Sequence, residues 1–189
     1  MSVDLRGALR RRKPDKRSVR LVPRPQSERP DWTTFDAATP VALVLDTSVY
    51  IHTAAGRLPE ELHRLIERAL LFHCAVALAE LSVGVAAADP HGPNWAALRD
   101  HYAELFSRIP ETRLLAPDAQ TFADAGLVAG TLARLQGYQR HQRTACLADA
   151  VIFLTAARAG LPVLTANRED FDLIQQLAPE GRFLTYERT

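Results

Sequence analysis

Hydrophobic and polar positions alternate along the chain in two distinct rhythms. Residues 41–45 (VALVL) form an unbroken β-branched and leucine run, as expected of a strand buried on both faces, and the run stops at Asp46. Residues 59–70 (PEELHRLIERAL) place Leu62, Leu65, Ile66 and Leu70 on one helical face, with Pro59 at the start. A second apolar run, 71–77 (LFHCAVA), feeds LAELSVGVAAA, which reads as a helix with Glu80 in its first turns. Residues 94–109 are amphipathic through Trp95, Leu98, Tyr102, Leu105 and Ile109. A short strand near 112–115 follows. Asp118 then N-caps a long helix that runs to Gln136 and ends at Gly137. The polar stretch 138–145 predicts a loop. Residues 147–159 predict a buried helix, 162–167 (PVLTAN) a strand opening into a polar turn, 168–177 a short helix and RFLTYE an edge strand. Strands and helices alternate, which predicts an α/β fold with a parallel sheet covered by helices on both faces.

The first forty residues are different. They carry RRRKPDKR, five prolines (Pro14, Pro23, Pro25, Pro30, Pro40) and little apolar periodicity. Two segments are therefore expected: an extended or disordered basic arm over 1–40 and a folded domain over 41–189. The arm holds ten Lys/Arg against five Asp/Glu, whereas the domain is mildly acidic. A split of this kind suits either a polyanionic partner or a solvated tail.

Composition narrows the chemistry. The two cysteines, Cys74 and Cys146, lie in no CxxC or Cys/His pattern, so a zinc site is not expected and reduced thiols in a cytoplasmic protein are. No apolar run approaches the ~20 residues that cross a membrane. There is no lysine after Lys16, no GK pair of a phosphate loop, no G-x-S-x-G elbow and no HExxH.

Acids, by contrast, recur at strand ends. Asp46 ends the first strand, Glu80 closely follows the second, and Asn167 and Asp170 follow PVLT; Asp149 stands in the predicted first turn of an apolar helix. Ligands of open α/β sheets gather at the carboxyl ends of strands. Carboxylates crowded there repel one another, and a divalent cation with oxygen ligands, Mg²⁺ or Mn²⁺, relieves the repulsion. Singly, each acid has a plainer reading: Asp46 as a helix N-cap, Asp149 as a macrodipole partner, Glu80 as a surface residue.

VALVLDTSVYI, AVALAELSVGV and LADAVIFLTAARAGLPVLTANREDF together resemble the PIN-domain nucleases, and within them the VapC-type toxins of bacterial toxin–antitoxin pairs. The likeness spans about residues 41–186. It implies a three-layer α/β/α fold with a central, mainly parallel sheet of four to five strands. It also implies that Asp46, Glu80, Asp149 and Asp170 hold Mg²⁺ or Mn²⁺ and catalyse hydrolysis of an RNA phosphodiester. Ser48, Thr165 and Asn167 match the family's supporting polar residues, and Asp172 is a weaker candidate for the fourth acid. Arg140, His141 and Arg143 are candidates for steering the RNA backbone. The resemblance further implies a homodimer silenced by an antitoxin protein. The basic arm is outside the family's core pattern. An RNA-processing nuclease without an antitoxin, or a module that binds RNA or protein without cutting, stand as alternatives.

Overall fold

The computed structural model describes residues 2–34 and 41–188. The other residues of the expected arm, 1 and 35–40, lie outside that description, as does Thr189. Five strands, β1 (Ala42–Leu45), β2 (Leu70–Cys74), β3 (Leu114–Leu115), β4 (Pro162–Thr165) and β5 (Arg182–Thr185), form one sheet in the order β3-β2-β1-β4-β5. Every pairing is parallel. Among the described residues eight α-helices flank it: α1 (Leu5–Arg12), α2 (Thr47–Ala54), α3 (Glu60–Arg68), α4 (Ala75–Ala87), α5 (Trp95–Ser107), α6 (Ala119–Gln136), α7 (Arg140–Arg158) and α8 (Arg168–Leu177). This is the expected three-layer α/β/α architecture.

The apolar runs explain the centre. Leu43, Val44 and Leu45 of β1 are all buried, as are all four residues of β4, because both faces of these strands are covered. α7 packs across β2, β4 and β5 and against α4, α6 and α8. Its Val151, Ile152, Phe153 and Leu154 are buried all round the helix. Phe153, Phe171 and Phe183 meet with ring centroids 6.1–6.5 Å apart. The chain leaves β1 toward β2 on one side and β4 takes the other, so the order reverses around β1 and a crevice opens at the strands' carboxyl ends.

Two expectations fail. The polar stretch 138–145 is not a loop: α7 begins at Arg140, started by the Gln139 backbone N–H donating to Gln142 Oε1 at 2.8 Å. Side-chain polarity there marks only an exposed helical surface. Asp149 therefore stands mid-helix, beyond reach of the N-terminal dipole.

The described part of the arm is also ordered against the domain rather than extended or disordered throughout. α1 packs on α6. Arg11 and Arg12 pair with Asp124, and Arg12 also with Glu180. Arg24 donates through Nε to Oδ1 of the fully buried Asp172 (2.6 Å) and through its backbone N–H to Oδ2 (2.9 Å). Farther on, Pro30 accepts from the Thr185 N–H at 3.0 Å and Asp31 bridges to Thr185, covering the edge of β5. Several of the basic residues thus meet acids of their own chain.

Arg24→Ala leaves the buried Asp172 carboxylate with only a backbone N–H and Gln176. It should lower the unfolding free energy by about 2 kcal/mol. Urea denaturation at unchanged m checks this, and no change in midpoint would mean the segment rests on the domain without stabilising it.

Candidate active site

The site begins where β1 ends. Asp46 is almost fully buried and N-caps α2. Three donors converge on its Oδ2: Ser48 Oγ at 2.6 Å, Thr165 Oγ1 at 2.8 Å and, at a long 3.4 Å, the Ser48 N–H. Both hydroxyls are themselves fixed from the β4 side. Ser48 Oγ accepts from the Ala166 N–H (3.1 Å), and Thr165 Oγ1 accepts from the Asn167 N–H (2.9 Å). The turn after β4 is therefore locked to the turn after β1.

Asn167 extends the network. Its Nδ2 donates to Asp149 Oδ2 and to Asp170 Oδ2, each at 3.0 Å, so one neutral amide bridges two carboxylates. Tyr138 donates its hydroxyl to Asp170 Oδ1 at 3.2 Å. Glu80 comes from the second turn of α4, directly after β2, and its Oε2 accepts from Thr47 Oγ1 at 2.5 Å. Glu80, Asp149 and Asp170 are partly buried.

All four acids and the three supporting residues read from the sequence thus fall on one rim of the sheet. Asp172 does not: two residues after Asp170 on α8, it is turned into the contact with Arg24. Thr47 and Tyr138 were missed. Thr47 directly follows the first acid and was legible as a polar neighbour. Tyr138 reaches Asp170 across 32 residues, with no sequence signal to mark it.

The electrostatics are those of like charges held together. Burial, then the charges of Asp46, Asp170 and Glu80, pushes Asp149 well above its usual range. Burial raises Asp46, against the opposing hydrogen bonds from Ser48 and Thr165. Burial also raises Glu80, with the Thr47 hydrogen bond opposing and the Asp46 charge adding. Among the described residues no Lys or Arg forms an ion pair with any of the four. Neutral donors alone offset the charge.

Four carboxylates without a counter-cation are the donor set a hard divalent ion takes. Cys146, one turn before Asp149, is kept a thiol: burial, then the charges of Asp149 and Asp170, pushes it up to about 12. The set is accordingly all oxygen. The carboxylates are not pre-gathered, since among the described residues no three Asp, Glu, His or Cys side chains are grouped to hold an ion as they stand. The donor chemistry fits a divalent cation; Asn167 occupies the bridging role between Asp149 and Asp170.

The PIN-domain family model matches residues 43–176, most of the chain and every one of these acids. The chain belongs to the PIN-domain family. PIN domains are nucleases, and membership supports a hydrolase acting on nucleic acid. Solved structures agree on the fold. VapBC-5 of Mycobacterium tuberculosis, a member of the VapBC family of toxin–antitoxin systems, is 26% identical, with 78% of this chain and 100% of that chain covered at a TM-score of 0.51. FitAcB of Neisseria gonorrhoeae is 20% identical, covering 76% and 96% at 0.56. VapBC2 of Rickettsia felis, bound to a DNA fragment from its promoter, is 16% identical, covering 78% and 100% at 0.54. No curated protein matches the chain in sequence.

The raised carboxylates predict a pH signature in metal-free buffer. A raised folded-state pKa stabilises fully below the unfolded value, here near 3.8 for Asp149, and the contribution is lost as pH rises through the folded value. Asp149→Asn removes one of the repelling charges. It should raise the melting temperature at neutral pH, with the advantage shrinking as both proteins are acidified. A variant less stable than wild type at neutral pH would contradict the repulsion described here.

Proposed function

We propose that this PIN domain is a divalent-cation-dependent endoribonuclease and the toxin of a toxin–antitoxin pair. The observation that carries the reading is the rim of four carboxylates whose charge nothing but neutral hydrogen bonds offsets. Asp46, Glu80 and Asp149 would hold the main Mg²⁺ or Mn²⁺ ion, and Asp170 would complete the site. Bound there, the ion supplies Lewis acidity toward a phosphodiester oxygen and toward the attacking water.

The chain's own residues supply position. Ser48 and Thr165 load their hydrogen bonds onto Oδ2 of Asp46, leaving Oδ1 clear of those donors. Thr47 orients Glu80, and Asn167 with Tyr138 sets the faces that Asp149 and Asp170 present. These donors are neutral, so they orient the acids without cancelling the negative charge that recruits a cation. In-line attack on RNA would leave a 5′-phosphate and a 3′-hydroxyl.

The antitoxin partner, and with it a homodimer in the cytoplasm, rests on the family resemblance and on solved neighbours whose names are those of toxin–antitoxin systems. Among the described residues no helix is long and apolar enough to cross a membrane. Arg140 and Arg143 lie in the exposed first turn of α7, where Arg143 Nε donates to the Tyr138 carbonyl. They precede Asp149 on the same helix, and their charge would serve to steer an RNA backbone.

Purified protein should cut single-stranded RNA with Mg²⁺ or Mn²⁺ and lose the activity reversibly in EDTA. Asp46→Asn should lower the rate by about three orders of magnitude while keeping the native circular dichroism spectrum. A well-folded wild type that binds RNA but cuts none under any divalent ion would select the non-cleaving reading instead.

A further inference from the structure

A second cavity, of about 520 Å³, opens beside the acid rim. It is lined by Ser48, His52, Ala166, Asn167, Arg168, Tyr186, Glu187 and Arg188. Two of these walls are shared with the acids: Ser48 holds Asp46, and Asn167 holds Asp149 and Asp170. Whatever occupies the cavity lies one side chain from the carboxylates. The volume is in the range of small-ligand sites.

Its far wall has the opposite charge. Arg168 is only 18% exposed in its side chain, and its Nη1 pairs with Glu187 at 2.7 Å. Its Nη2 is buried and, among the described residues, has no acceptor. A buried guanidinium donor without a partner is costly and calls for one. Arg188 stands beside it with no acid paired to it among the described ion pairs. The Glu187 charge offsets only one of the two arginines, so the wall is net positive. His52 is fixed by its Nδ1 contact to the Tyr186 hydroxyl (2.9 Å), and burial, then the charges of Arg188 and Arg57, lowers it from the usual imidazole value. The family's acid positions account for none of this wall, and Glu187 and Arg188 lie beyond the matched residues 43–176.

We infer that this cavity is a nucleotide subsite: it seats the nucleotide next to the cleaved bond, with Arg168 and Arg188 on its phosphate. The inference rests on the nuclease reading for the identity of the strand. The cavity juxtaposes a cationic phosphate-binding wall with an anionic rim. A polyanion would be drawn in by the first and oriented across the second. Arg168, anchored on Glu187, holds its guanidinium charge fixed at the wall, and the exposed Arg188 brings a second charge that can reach a phosphate.

The test separates binding from cutting. Binding of a short fluorescent single-stranded RNA is measured by anisotropy, in Mg²⁺ on an Asp46→Asn background, over a series of salt concentrations. Arg168→Ala and Arg188→Ala should each weaken binding about tenfold. Each should reduce the slope of log Kd against log salt by about 0.7, the share of one lost phosphate contact on a single strand. Arg188→Lys should recover most of the affinity. On the otherwise wild-type chain, the same alanine variants should raise KM with kcat little changed. Variants that bind and cut as wild type does would overturn the subsite while leaving the nuclease standing. If wild type never cuts but RNA affinity still depends on both arginines, the nuclease reading falls, the placement beside a cleaved bond is overturned with it, and the cavity is an RNA-binding subsite only. No RNA binding by the Asp46→Asn protein at low salt would overturn the subsite outright.

Discussion

The structure turns on the Asp46 carboxylate. It is buried at the end of a strand enclosed on both faces, where an ionised group is stable only if its hydrogen bonds are complete. Ser48 and Thr165 satisfy its Oδ2, and each is anchored to the backbone of the turn after β4. One charge thus ties the β1 and β4 termini together at the point where the strand order reverses. The same turn carries Asn167, through which Asp149 and Asp170 are held in reach. If the Asp46 network slackened, the geometry of all the acids but Glu80 would slacken with it. Glu80 is held instead from the β1 side by Thr47, the residue next to Asp46.

This arrangement keeps repulsion in place rather than removing it. A lysine or arginine among the acids would stabilise the fold and spoil the site for a cation. Other acids of the chain are paired: Arg11 and Arg12 with Asp124 of α6, Arg12 also with Glu180, and Arg24 with Asp172 of α8. The two buried acids of these helices, Asp124 and Asp172, are paired, and the rim acids are not. That contrast separates structural carboxylates from the candidate ligands more sharply than burial does, since Asp172 is the most buried of them all.

Much of this was legible in the sequence because the signals were local. VALVL followed by Asp46, and PVLT followed by Asn167 and Asp170, announce strands with acids at their carboxyl ends, and Asp118 and Gly137 mark the ends of α6 in the expected way. What escaped was long-range. The start of α7 is polar because it faces solvent, which periodicity reads as a loop. The order of the arm depends on acids more than a hundred residues away, so a proline-rich basic segment gave no hint of it. Asp172 and Asp170 differ by two positions on one helix, and only packing shows that they face different partners. The cationic wall at Arg168 and Arg188 likewise comes from two segments whose adjacency is a product of the β4–β5 pairing.

We propose that a divalent ion neutralises the unpaired acids of the rim. Titration of Mn²⁺ into the protein at neutral pH, followed by the loss of the free-ion electron paramagnetic resonance signal, tests it directly. Wild type should bind saturably, Asp149→Asn should bind far more weakly, and Asp172→Asn should bind as wild type does. Equal binding by wild type and Asp149→Asn, or none by either, would contradict it.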